Sequence, residues 1–394
     1  MKLYAQMGHG DGQKTLSGLT EGLIDGAILS PRDWRPDGIG ERIGELTAAR
    51  ADADILIDPQ FYATFAASSD AARTGKLSEW PYFSAVRKSD LELSAEVDRI
   101  LREAMEHVVS LPVTGVIAPS IYVSRSFDSR EAVIAKNLVR SARGVYADVG
   151  DNRPLYATIA VCREALMEKA EFQEFLNDIT MLPEPPDGFY LLVGSRGTEA
   201  TSDIFHADVI ARWMLLNYSL NVNGFEVING YSDVLAPFLG AAGGDAGAAG
   251  WYSNLRIFSL DRFQPPPSGG RRPIKRYLST RLLNRVTFTE REALSEIVPS
   301  VTNGLPHDAD YNPEPDTTTE ILQSWEALGN LAQRLALEDV DAGLAACGTA
   351  VTRAEAAYSE IAEAGVNLDR KSADDHLEPL REGIQAFKEM AGLA

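Results

Sequence analysis

Asp58 is the carboxylate best placed to do chemistry. It ends the apolar run Asp54–Asp58 and is followed by Pro59, which keeps a helix from starting there. A carboxylate at such a strand end faces a mouth, where partial burial raises its pKa toward the general-base range or a neighbouring cation keeps it ionised. Its alternative role is to accept backbone N–H bonds within its own turn. Gly194-Ser195-Arg196-Gly197 lies between another apolar run and a helix start, so its backbone N–H groups can cradle an anion that Arg196 neutralises. It has neither the lysine and spacing of a Walker loop nor a G-x-G-x-x-G pattern, and a tight turn with a solvated arginine is the competing reading. Asn229 and Asp233 are further catalytic candidates with Tyr231 as a substrate contact, although Asp233 could simply cap the following helix. Ser120, Tyr122 and Arg256 also follow predicted strand ends and are read as substrate-binding. His9 and Asp11 could join Asp58 around a metal, but the five histidines form no H-x-x-x-H pair, so no metal and no cofactor is expected.

Eight short runs carry these residues: Leu3–Met7, Gly26–Ser30, Asp54–Asp58, Gly115–Ala118, Leu155–Val161, Phe189–Val193, Phe225–Asn229 and a weaker one around Trp251–Phe258. They alternate with helix-like stretches such as Ser94–Leu111 and 130–146. Crossover connections of that kind make successive strands parallel and predict an α/β fold, a (β/α)8 TIM-type barrel with a C-terminal α-helical extension. Active sites in that architecture gather where strands end. The long stretch between Asp58 and Ser94, with Trp80-Pro81-Tyr82-Phe83, predicts a lid or wall over the mouth. The expected organisation is a barrel over 1–262, a basic Pro/Gly-rich connection over 263–316 with a helix at Tyr277–Val286, and an acidic helical domain over 317–394. That domain divides into helices near 318–336, 339–364 and 373–392. It should be removable unless its apolar stripe covers a face of the barrel.

The formal charge of −20 argues against a polyanionic partner, yet its distribution is uneven. Residues 290–394 carry 21 Asp/Glu against 7 Lys/Arg, whereas 262–289 hold seven basic residues (Arg262, Arg271, Arg272, Lys275, Arg276, Arg281, Arg285) and no acidic one. Arg271, Arg272, Lys275 and Arg276 are therefore candidate nucleic-acid contacts; the rival reading is that the island neutralises the acidic tail. Cys162 and Cys347, far apart in the chain, offer no disulfide framework and exclude a multi-cysteine zinc site. No apolar run approaches the roughly 20 residues of a membrane span, and no signal pattern opens the chain, so a cytoplasmic location and no membrane association are expected.

Val227-Ile228-Asn229-Gly230-Tyr231-Ser232-Asp233 is followed by a helix, a Gly/Ala turn and then Gly250-Trp251-Tyr252-Ser253-Asn254-Leu255-Arg256. With these residues the stretch over about 225–285 resembles the tRNA-guanine transglycosylase-like family and its DNA-modifying relatives. The resemblance implies a barrel acting on a base in nucleic acid, with Arg256 and the basic island at phosphates. The family's nucleophilic aspartate has no counterpart between Trp251 and Arg256, and its zinc cysteines are absent.

Together these features predict a barrel enzyme acting on a phosphate-bearing substrate, a nucleotide or a base in nucleic acid. The alternatives are a non-catalytic barrel that binds nucleic acid or a protein partner, or self-associates, through its acidic tail, and a metal-assisted hydrolase using His9, Asp11 and Asp58. The leading reading places Asp58, Ser120, Arg196, Asn229 and Arg256 on one cavity.

Overall fold

A computed structural model describes residues 1–68, 72–196, 202–265 and 274–393. Nine strands form one parallel sheet: β1 (Lys2–Gln6), β2 (Gly26–Leu29), β3 (Asp54–Ile57), β4 (Val116–Ala118), β5 (Tyr122–Val123), β6 (Leu155–Cys162), β7 (Gly188–Gly194), β8 (Glu226–Asn229) and β9 (Ala246–Ala249). Their order is β3-β2-β1-β9-β8-β7-β6-β4, with β5 pairing β6 beyond the end of β4. Thr114 bridges the remaining gap between β3 and β4. Its N–H donates to Ile55 O (2.9 Å), and its Oγ1 accepts from Ile55 N (2.8 Å). The result is a nearly closed (β/α)8 barrel, with β1 to β4 and β6 to β9 as its staves.

The strands enter at a face pinned by acidic side chains. Asp25, Asp187 and Asp245 each precede a strand and accept the backbone N–H of a neighbouring strand, at Leu3, Leu155 and Val227 respectively. Gly26 and Gly188 sit where a Cβ would lie within 2.3 Å of a neighbouring carbonyl oxygen, so only glycine admits the strand spacing there. Chemistry is left to the opposite end, where the staves run into loops.

Two elements differ from expectation. The eighth stave is Ala246–Ala249, inside the Gly/Ala stretch, while 251–258 forms a turn and the short helix Ser253–Arg256. Alanine and glycine give little strand signal, yet all four residues are buried and the stave pairs with both β1 and β8. The region expected as a helix over Tyr277–Val286 is a hairpin of β10 (Arg276–Ser279) and β11 (Asn284–Thr287), which turns through left-handed Leu283 (φ 53°). The long stretch after Asp58 forms a wall of short turns. Trp80 Nε1 donates to Pro31 O (3.1 Å) and Tyr82 Oη to Pro59 O (3.1 Å), which ties it to the ends of β2 and β3.

The C-terminal helices Thr317–Leu335, Val340–Glu363 and Leu377–Ala391 are present. The first and third lie on the barrel: Trp325 is fully buried and donates through Nε1 to Ala249 O (3.0 Å), and Gly383 packs directly against Ile210. Their apolar stripes therefore cover barrel faces. Among the described residues no helix is long and apolar enough to cross a membrane.

Candidate functional site

Asp58 lies at the barrel axis and has no exposed surface. Its Oδ2 accepts from Tyr62 Oη (2.7 Å) and, at 3.4 Å, from Tyr190 Oη, while Oδ1 accepts from the backbone of Gln60 (3.0 Å). Burial pushes its carboxyl up to about 6, against the pull of these donors and of the Arg262 guanidinium. A carboxyl with that affinity exchanges a proton near neutrality, as acid–base catalysis requires. Tyr190 Oη also reaches Gln6 Oε1 (3.4 Å), and the Nε2 of Gln6 is buried without a hydrogen-bond partner. Around this cluster Arg262 donates to Tyr231 Oη (2.6 Å), Ser30 Oγ (3.3 Å) and Asp33 (3.2 Å).

Beside the axis is a cavity of about 200 Å³ at the ends of β5, β6 and β7. Tyr122, Gly194, Ser195 and Arg196 line it with Cys162, Arg163, Glu164, Asp203 and Asp261. The Arg196 side chain is 85% exposed, with Glu164 at 4.0 Å. Arg163 donates to Asp203 O (2.6 Å), and Ser195 Oγ to Asp203 Oδ1 (2.6 Å). Burial pushes the Cys162 thiol up to about 11, so it is not a thiolate nucleophile. Phe258 lies between Tyr122 of the cavity lining and Tyr62 of the cluster, its ring centroid 5.9 Å from that of Tyr122 and 5.0 Å from that of Tyr62. Gly194 makes the arrangement possible, because a Cβ there would lie 2.0 Å from Tyr122 Oη. Gly194→Ala should accordingly displace Tyr122 and destabilise the protein by about 1–3 kcal/mol; denaturant melts would read the loss, and an unchanged midpoint would contradict the contact.

The other expected site residues are elsewhere. Ser120 Oγ is buried near the end of β4 without a hydrogen-bond partner. Asn229 faces away from the axis: its Oδ1 accepts from Trp213 Nε1 (2.8 Å) and Asn217 Nδ2 (3.1 Å), and its Nδ2 donates to Asn217 Oδ1 (2.7 Å). Strand alternation turns this side chain toward the helix Ala207–Val222, so it locks stave to helix. Asp233 is buried in a two-pronged pair with Arg285. Arg256 donates to Gly250 O (3.2 Å), Trp251 O (3.1 Å) and Glu320 (3.1 Å), joining the barrel to the first C-terminal helix. Asp58, Arg196, Asn229 and Arg256 thus line no common cavity among the described residues. Tyr231 reaches the cluster because Gly230 and a left-handed backbone at Tyr231 (φ 51°) turn the chain inward. Asp11 is paired with Arg42 and accepts from Thr15 Oγ1 (2.6 Å). Among the described residues no group of three His, Cys, Asp or Glu side chains could hold a metal ion.

Much of the basic island is consumed internally. Lys275 donates to Thr317 Oγ1 (2.5 Å) with Glu320 at 3.7 Å, and Arg276 pairs with Asp369 (2.6 Å). Gly197, Arg271 and Arg272 lie outside the described residues. The residues missed in the sequence are Gln6, Tyr62, Arg163, Tyr190 and, as a mouth residue, Arg262. For Gln6 and Tyr190 the signal was present: a polar group inside an otherwise apolar buried strand needs a partner within the barrel.

Fold and site define a (β/α)8-barrel protein with a buried acid–tyrosine–arginine cluster at its mouth. No family model matches the chain, and a search of curated proteins finds no match. Among solved structures, the carboxyl transferase domain from Rhizobium etli pyruvate carboxylase, determined with 3-bromopyruvate, is similar at 14% identity and a TM-score of 0.34. The match covers 91% of this chain and 53% of that one, so the chain spans about half its length. The barrel assignment rests on the strand order, not on this likeness.

Proposed function

We propose that the chain is a barrel enzyme in which Asp58 is the acid–base group and the neighbouring cavity holds the anionic part of a phosphate-bearing, nucleotide-sized substrate. The observation that carries this reading is the carboxyl of Asp58, fully buried, hydrogen-bonded by two phenols and pushed up to about 6. Arg196, exposed at the cavity, and Arg163 supply its positive charge, which a phosphate would share with Glu164 (4.0 Å from Arg196) and Asp203 (3.6 Å from Arg163). Substrate reaching Asp58 must pass Tyr122 and Phe258, whose carbonyl accepts from Ser195 N (2.9 Å); Arg196 N donates to Asp203 Oδ1 (2.9 Å), so these backbone groups of the turn are already used and the anion contact falls to the Arg196 side chain. Base exchange of the transglycosylase kind would need a nucleophile that 251–256 lack, so proton transfer is the step assigned to this site. The same sealing of the axis favours the second reading, a barrel that keeps the cluster for stability and serves as an assembly subunit.

Asp58→Asn separates the two. Under the enzymatic reading it should leave binding of phosphomonoesters nearly unchanged, while turnover of a substrate found among them falls by about 10²–10⁴. Phosphomonoester affinity should drop instead in Arg196→Gln. The stability of the variant gives a check that needs no substrate. The folded carboxyl titrates near 6 and an unfolded one near 3.9, so its contribution is fully present below about pH 4 and is lost as pH rises through 6, by about 3 kcal/mol in total. Buried His376, pushed down to about 4 by burial, changes stability in the opposite sense over the same range. The readout is therefore the difference between variant and parent, measured by denaturant melts from pH 4 to 7.5. A difference that does not vary with pH would remove the poised carboxyl and with it the catalytic assignment.

A further inference from the structure

A second cavity, of about 450 Å³, lies away from the mouth between the β10–β11 turn, residues 300–303 and the helices Thr317–Leu335 and Val340–Glu363. Three arginines line it: Arg281, Arg334 and Arg353. No described aspartate or glutamate does. Among the described residues none of the three makes an ion pair. The Nε of Arg281 is buried without a hydrogen-bond partner, and Arg334 uses its Nε only for a carbonyl of its own helix, Asn330 O at 3.3 Å. Elsewhere the pattern is the reverse. The chain carries −20, and its other basic-island side chains with described positions are matched by carboxylates or by buried acceptors.

Three like charges around one cavity repel, and partial desolvation of an otherwise exposed side chain, together with the Arg353 charge, lowers the proton affinity of Arg334. An anion placed among them removes that repulsion. The guanidinium fork matches the oxygen geometry of a phosphoryl group, and Ser300 and Thr302 also line the cavity. The lining also has an apolar part, the half-buried Ala346 and Ala350 of the helix Val340–Glu363 over Leu331 and Leu335, and the volume is in the range of cavities that hold small organic ligands.

We propose that this cavity binds a small organic diphosphate, its phosphoryl oxygens on Arg281, Arg334 and Arg353 and its organic part against Ala346 and Ala350. The site shares no residue with the mouth and stands whether or not Asp58 is catalytic. Because it joins the hairpin to two C-terminal helices, an occupant fastens the C-terminal region together, and the complex melts at a higher temperature than the free protein.

The test is calorimetric titration of the full chain with inorganic pyrophosphate and with a nucleoside diphosphate, and with succinate as a dicarboxylate of similar charge. Arg196→Gln serves as background, so that phosphate binding at the mouth does not contribute. The nucleoside diphosphate should bind tightest, because only it reaches the apolar part of the lining, and succinate weakest. Arg334→Gln/Arg353→Gln should weaken diphosphate binding about a hundredfold, roughly tenfold for each lost charge-assisted contact. The ligand-free double variant should melt no lower than its parent, because both side chains are exposed and their repulsion has gone. Arg381→Gln, an arginine of the C-terminal region paired with Glu355 outside the cavity, should change nothing. Equal affinity in the double variant, an equal loss in Arg381→Gln, preference for succinate, or no diphosphate binding at millimolar concentration would each overturn the proposal.

Discussion

Expression of residues 1–316 alone is expected to give aggregated or molten protein, because the first and third C-terminal helices complete the barrel's outer layer. Gly18 on the first barrel helix has no room even for a methyl group, since Trp325 lies 2.8 Å from where its Cβ would be. On the opposite side Phe387 packs edge-on to Tyr218, and Gly383 meets Ile210 at the same close range. Removing the helices strips the cover from Ala249, Ile210 and Tyr218 and leaves Arg256 without Glu320. Trp325, Ile321, Leu328, Leu331 and Phe387 are all at most 3% exposed. At about 1.5–3 kcal/mol for each buried side chain, their loss is comparable with the roughly 5–15 kcal/mol by which a domain is stable. Size-exclusion chromatography and near-UV circular dichroism of the fragment decide the matter. A monomer that unfolds cooperatively would show instead that the barrel is complete without its tail.

The second large effect is expected at Asp233 and Arg285. Arg285 is 1% exposed, and both of its terminal nitrogens donate to the Asp233 carboxylate, one at 2.8 Å. This pair fastens the β10–β11 hairpin to the end of β8. Arg285→Met leaves a buried carboxylate unpaired and should destabilise the protein by about 3–5 kcal/mol. Asp233→Asn/Arg285→Met should recover much of that loss, because the uncompensated charge has been removed. Urea melts of the parent, both single variants and the double variant give the coupling directly. Additive losses across the four would mean that the two groups do not share one interaction. Paired with Arg285 in this way, Asp233 belongs to the hairpin's attachment and not to the chemistry of the mouth.

How much of this was legible depends on the range of the interaction involved. Seven of the eight staves and all three C-terminal helices could be placed from apolar periodicity, since burial of one face is written into neighbouring residues. Asp58 could be singled out for a similar reason: a carboxylate ending an apolar strand just before proline is an anomaly within five residues of chain. The eighth stave could not, because Ala246-Gly247-Ala248-Ala249 owes its strand conformation to β1 and β8 on either side. Nor could the hairpin over 276–287, where Tyr277, Leu278 and Val286 suit a helix as well as a strand until Asp233 and the first C-terminal helix give them surfaces to pack on.

The site divides along the same line. Residue type and strand-end position were enough to nominate Asp58, Tyr122 and the turn at Gly194-Ser195-Arg196. Which way a side chain at such a position turns was not available, and it separated Tyr231, directed to the axis, from Asn229, directed to a helix. The basic island shows the limit most clearly. Its charge could be counted from the chain, but pairing is a matter of distance in space. Glu320, Asp369 and Asp233 reach Lys275, Arg276 and Arg285 only once the helices have docked, whereas Arg281 is left facing two other arginines. Local burial patterns therefore set the staves and the helices. The partners of each charged group were decided by tertiary packing, because Coulomb energy depends on separation in space and on the surrounding dielectric, neither of which the order of residues contains.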